Sequence, residues 1–98
     1  MELKFHREVW SDLESAFNFY EKATPGCGSY FLDQYEEALA KIVRDPSVHR
    51  MFYHENRKVN FAKFPFAVVY MLKDGRIVVK AVAALRRKPY FWDDRSEL

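Results

Sequence analysis

The stretch FAVVYMLKDGRIVVKAVAALRRKPYFW, residues 66–92, decides how this chain folds. Residues 66–72 and 77–85 are dense in β-branched, aromatic and small apolar residues, the composition of strands buried on both faces. Between them stands KDGR, whose Asp74 and Gly75 suit a two-residue type I′ turn. The stretch therefore predicts an antiparallel hairpin of two interior strands. Its end then changes character, setting Arg86, Arg87 and Lys88 beside Pro89, Tyr90, Phe91 and Trp92. Terminal segments are usually polar and frayed, so such a run either packs or binds. Forked guanidinium groups interleaved with rings suit a single-stranded RNA site. Alternatively the three rings fold back to seal the core edge, leaving Arg86 and Arg87 in solvent.

Upstream of the hairpin, Val59 and Phe61 alternate with Lys58 and Asn60, a period of two that predicts another strand. A polar link with His49 and His54 precedes it, and Asp45-Pro46 closes a helix that starts near Ser29. That helix turns Phe31, Leu32, Tyr35, Leu39, Ile42 and Val43 inward and Glu36 and Glu37 outward. Before it, TPGCG at residues 24–28 forces a tight reversal, so a first helix over residues 9–23 must run antiparallel to the second. Trp10, Leu13, Phe17 and Tyr20 form its apolar stripe, and Ser11 with Glu14 offers a capping box. Residues 2–7 read as a short strand with Leu3 and Phe5 turned inward. The whole is an α+β domain, β-α-α-β-β-β, in one unit spanning residues 1–98. A helical hairpin covers one face of a largely antiparallel sheet, its stripes burying against residues 66–85. The opposite face has no helix to cover it and is where a partner would dock.

Net charge is only +2, but the halves differ: residues 1–49 hold five Lys/Arg and nine Asp/Glu, whereas residues 50–98 hold eleven and five. This asymmetry points to an anionic partner for the basic half or to charged protection of strand edges. No apolar run approaches the roughly 20 residues needed to span a bilayer, and nothing marks a secretory leader. With Cys27 as the single cysteine, a reducing cytoplasm is the expected compartment. His6, His49, His54 and Cys27 lack metal-ligand spacing, so neither a metal nor another cofactor is expected. The GCGS turn at residues 26–29 superficially resembles a nucleophile turn, yet the helix reversal already accounts for its small residues.

Three pieces in this order and spacing resemble the RelE/ParE superfamily of toxins from bacterial type II toxin-antitoxin (plasmid stabilisation) modules. They are the P-G-x-G reversal followed by the F-L helix, the F-P-F-x-V-x-Y strand at Phe64–Tyr70, and R-R-x-P-x-x-W at Arg86–Trp92. The resemblance covers nearly the whole chain and implies a small toxin held silent by a cognate antitoxin protein. RelE-like members cleave messenger RNA on the ribosome, driving a ribose 2′-OH onto the adjacent phosphate; ParE-like members inhibit DNA gyrase. An inactivated member or a plain nucleic-acid-binding module is the further alternative.

For the RelE-like branch the resemblance implies Arg87 as phosphate clamp, Lys58 in the strand that supplies the lysines of such enzymes, and Tyr90 near the acid/base position. The arginine that the resemblance implies in the middle strand of such enzymes falls on Ala67. Phosphoryl transfer needs charge stabilisation and proton transfer together, so this gap favours the ParE-like branch. The residues expected to meet antitoxin or target are Arg57, Arg86, Arg87, Lys88 and Trp92, with Pro89 and Trp92 packing back on the sheet edge.

Overall fold

In the computed structural model, which describes residues 1–87 and 90–95, seven elements follow in order. They are β1 (Glu2–Phe5), α1 (Val9–Ala23), α2 (Cys27–Arg44), β2 (Met51–Tyr53), β3 (Asn56–Asn60), β4 (Phe66–Lys73) and β5 (Arg76–Ala84). The sheet order is β1-β5-β4-β3-β2, with β1 parallel to β5 and every other pair antiparallel. The expected hairpin forms its centre. Asp74 (φ 53°) and Gly75 (φ 74°) both take the left-handed backbone that a type I′ turn demands. Both faces are filled: Val68, Tyr70, Ile77, Val79 and Val82 toward the helices, and Val69, Ala81 and Ala83 away from them.

The α1 stripe is turned by about one residue from the expected one. Val9, Leu13 and Ala16 are buried, whereas Trp10 is 71% exposed. Small Ala16 lets the helix sit close on the sheet, and the bulkier Trp10 falls to the outer flank. Phe17 is only half-buried, because it packs sideways against α2 rather than down on the hairpin. The helix also begins earlier than a Ser11 cap would allow: Glu8 is the N-cap, without a side-chain cap bond, so the Ser11–Glu14 box does not form. Likewise Val43 and Phe5 are exposed, and His6 takes the buried place beside the sheet. The His6 N–H donates to the Val79 carbonyl at 2.8 Å, which extends the β1–β5 pairing by one residue.

The reversal between helices rests on Glu21, whose carboxylate accepts the N–H groups of Gly26 and Gly28, both at 3.0 Å. These are otherwise orphaned donors at the start of α2, and their capture starts the helix at Cys27 rather than Ser29. Gly28 also sets the helix spacing, since a Cβ there would lie 2.8 Å from the Phe17 ring and 2.9 Å from its carbonyl oxygen. Phe31, fully buried, centres the core: its ring meets those of Tyr20, Phe61, Phe64 and Phe66 at centroid distances of 4.9–5.5 Å.

β2 was not expected from the sequence. It is three residues long, lies at the sheet edge and turns into β3 through His54 (φ 47°) and Glu55 (φ 65°), a tight turn built without glycine. So short a strand carries no readable alternation. Among the described residues no helix is long and apolar enough to cross a membrane.

Candidate functional site

The sheet face away from the helices is partly covered. Residues 90–95 lie across it, with Trp92 (3% exposed) packed on Val69, Ala81 and Ala83, and Tyr53 and Phe91 alongside. Arg95 fastens this strap. Its guanidinium forks onto the Asp12 carboxylate of α1 at 2.7 and 3.2 Å and donates to the Lys80 carbonyl at 3.2 Å. Asp12 in turn accepts the Val82 N–H at 3.0 Å, so the two side chains together occupy the β5 edge beyond the end of β1. Both are nearly buried, and Glu8 stands 3.6 Å from the guanidinium.

Lys80 lies under the strap, 2% exposed, with its ammonium 5.5 Å from the Trp92 ring centroid and 3.4 Å from the Asp93 carbonyl. Burial pulls its pKa below the usual lysine value, partly offset by Asp93 and Asp94. His6, near the other end of the latch, is also pulled down by burial and then by the Arg95 charge. Its Nδ1 accepts the Glu8 N–H at 3.1 Å, which the neutral ring permits.

Between the strap and the β3 side of the sheet lies a concavity of about 200 Å³. Its floor is Ala67, Val69 and Ala83, and Lys58, Arg87 and Tyr90 stand around it. β3 aims Lys58 here because Lys58 pairs with Val69 across the sheet, on the face opposite the helices. The lysine ammonium lies 5.2 Å from the Phe52 ring centroid, and the Arg87 guanidinium lies 3.6 Å from that of Phe91. Among the described residues both cations are thus held on rings rather than on carboxylates. Tyr90 stacks on Tyr53 at 3.9 Å and takes a left-handed backbone (φ 66°), an unusual conformation for a bulky residue. Among the described residues, the Tyr90 hydroxyl is the one group lining the concavity, besides the two cations, that can give or take a proton.

The structure thus gathers Lys58, Arg87 and Tyr90, which the sequence set 32 positions apart at most, around one hollow, with Ala67 on its floor. Arg86 is exposed and lines a separate groove of about 560 Å³ between α1 and β5, which Arg87 also borders. Arg57 turns the other way, and its guanidinium donates to the carbonyls of Ser47 and His49, stapling the α2–β2 link. Trp92 is a buried support of the face. Lys88 and Pro89 lie outside the described residues. The latch of Asp12 and Arg95 has no counterpart in the sequence reading, since 83 positions separate the partners and neither belongs to a motif.

A chain of the chromosomal ParDE TA system from P. aeruginosa matches with a TM-score of 0.77 at 18% identity, over 88% of this chain and 97% of that one. The isolated E. coli RelE toxin matches with a TM-score of 0.63 at 14% identity, over 95% of this chain and 93% of that one. The chain has the RelE/ParE fold. No protein-family model and no curated protein matches the sequence. On the RelE/ParE fold of this chain, the concavity occupies the sheet face that the helices leave free, and the strap forms one of its walls.

Proposed function

We propose that the protein is the toxin of a type II toxin-antitoxin pair, acting in the cytoplasm and neutralised by a cognate antitoxin. Once free, it acts by docking on a protein target in the ParE-like manner, with DNA gyrase as that target. The observation that carries this reading is the makeup of the concavity among the described residues: an alanine and valine floor, two cations seated on rings, and one phenol. Such a hollow is well suited to receive an apolar or acidic side chain of another protein. For cleaving a phosphodiester it is poor, because a pentacoordinate phosphorane needs a dense charge clamp and a positioned acid and base.

Purified protein is expected to inhibit gyrase supercoiling or trap cleaved DNA, with Arg87→Ala weakening the effect, and to leave messenger RNA on programmed ribosomes intact. A specific observation favours one second reading, RelE-like RNA cleavage: Lys58, Arg87 and Tyr90 share a single hollow. Ribosomal A-site cleavage abolished by Arg87→Ala, with gyrase unaffected, would overturn the first reading in favour of the second.

A further inference from the structure

Two cations lie buried where the strap meets β5, and the fold treats them in opposite ways. Arg95 has the Asp12 carboxylate to fork onto and donates to the Lys80 carbonyl as well. Lys80 has no such partner. Among the described residues no ion pair engages its ammonium, which donates one hydrogen bond, to the Asp93 carbonyl at 3.4 Å, longer than a good N–H···O bond. An ammonium carries three donors. The register of the sheet explains the position: Val69 pairs with Ala81 and Tyr70 with Val79, so Lys80 is left over as the extra residue of a bulge. Its carbonyl goes to Arg95, and its side chain lies beneath the strap against Trp92.

The charged groups facing Lys80 do not make up for this. They are Asp93 and Asp94 from the strap, His54 and Glu55 from the β2–β3 turn, and Lys73 from β4. Asp93 turns its carboxylate to His54, while Asp94 and Glu55 stand in solvent. Burial outweighs both aspartates, which is why the lysine pKa falls rather than rises. The Trp92 ring attracts the ammonium, but a charge buried without a carboxylate costs more than one ring contact returns. Tyr90, at the start of the strap, adds the strain of its left-handed backbone. The strap is thus clamped at Arg95 and undermined in its middle. We propose that Lys80 is a built-in counterweight to the latch: the ammonium held under the strap lets residues 90–95 lift from the sheet as a unit while the central strands stay closed. Each lifting carries Tyr90 and Phe91 away from Lys58 and takes down one wall of the concavity, so Lys80 sets how much of the time that hollow is assembled. The inference rests on the packing of the strap and holds whichever target the concavity takes.

The test is native-state hydrogen exchange of the full chain, followed amide by amide in increasing sub-denaturing urea. The strap supplies its own probes, since the Asp93 N–H donates to the Tyr90 carbonyl and the Arg95 N–H to that of Trp92, both at 3.0 Å. Amides of Val68 to Tyr70 and Val79 to Val82 report the central strands. In the unaltered chain the strap amides are expected to exchange faster than the central ones and with a weaker dependence on urea, the mark of a local opening. Lys80→Met keeps the length of the side chain and removes its charge. It is expected to raise the protection of the Asp93 and Arg95 amides about tenfold or more, because an apolar residue replaces a buried charge. Lys80→Gln, neutral but polar, is expected to change protection in the same direction and by less. Arg95→Met is expected to lower it. Strap and central amides exchanging together in the unaltered chain, with one urea dependence, would overturn the proposal, because the strap would then never lift alone. Protection unchanged or lowered in Lys80→Met would overturn it too, making Lys80 an anchor of the strap, as would failure of both neutral variants to fold. An absence of gyrase inhibition alters none of these readouts.

Discussion

Cutting the latch between Asp12 and Arg95 should cost far more than a surface ion pair. Four hydrogen bonds meet there: two from the guanidinium to the carboxylate, one from the guanidinium to Lys80 O, and one from the Val82 N–H to the carboxylate. Arg95→Met removes three of the four and leaves a nearly buried carboxylate with one donor. Removing one partner of such a pair costs about 3–5 kcal/mol, against 0–1 for an exposed one. In a chain of this size each kcal/mol is worth about 4–8 °C, so Tm should fall by about 12 °C or more. Asp12→Asn keeps an oxygen for Val82 and should cost less, about 2–3 kcal/mol. Because both variants break the same pair, the double variant should lie well below the sum, with a coupling of about 2 kcal/mol. Urea unfolding followed by far-UV dichroism gives the global value. Tryptophan emission gives the local one, since Trp92 is buried by the strap while Trp10 is already in solvent. Additivity within about 0.5 kcal/mol, or a loss below about 1 kcal/mol for Arg95→Met, would refute the latch as a determinant of stability.

Three further outcomes follow from the packing. Gly28→Ala should destabilise by about 1–3 kcal/mol, since its methyl group meets Phe17 ring and backbone atoms at 2.8–2.9 Å; a neutral urea midpoint would contradict that contact. Phe31→Ala should cost about 3–5 kcal/mol while Trp10→Ala costs less than about 1 kcal/mol, and the reverse order would restore the stripe expected from sequence. His6 is held below its ordinary value of 6.5, so its contribution is complete above pH 6.5 and is lost as pH falls through the lowered folded value. His6→Gln should therefore flatten the stability profile just below pH 6.5, above the range in which carboxylates titrate; an unchanged slope in urea titrations would refute it.

What could be read from the sequence were local signals. Two β-branched runs around Asp74-Gly75 specify the central hairpin through composition and turn chemistry, and the small residues at 24–28 specify the helix reversal. Lys58, Arg87 and Tyr90 could be named only through the family resemblance, while period two alone puts Lys58 on the same side of its strand as Asn60. What the sequence hid depends on three dimensions. The rotation of α1 is decided by how closely Ala16 approaches the sheet, a matter of distance that periodicity cannot express when Val9, Trp10, Leu13, Ala16 and Phe17 are all apolar. β2 is too short for a pattern. The latch joins a residue of the first helix to one of the strap, and no spacing rule reaches across 83 positions.

The parallel pairing of β1 with β5 also has a kinetic meaning. Glu2 must wait for Arg76 before it has a strand to lie on, and Asp12 must wait for Arg95. During synthesis, the helical hairpin emerges early and alone, with Phe31 and Ile42 facing water until the central strands arrive. Long loops must close before these contacts return any free energy, which slows the final step relative to a helical bundle of equal length. An emerging chain thus passes through an interval in which its helical segments are out and its sheet face is not yet strapped.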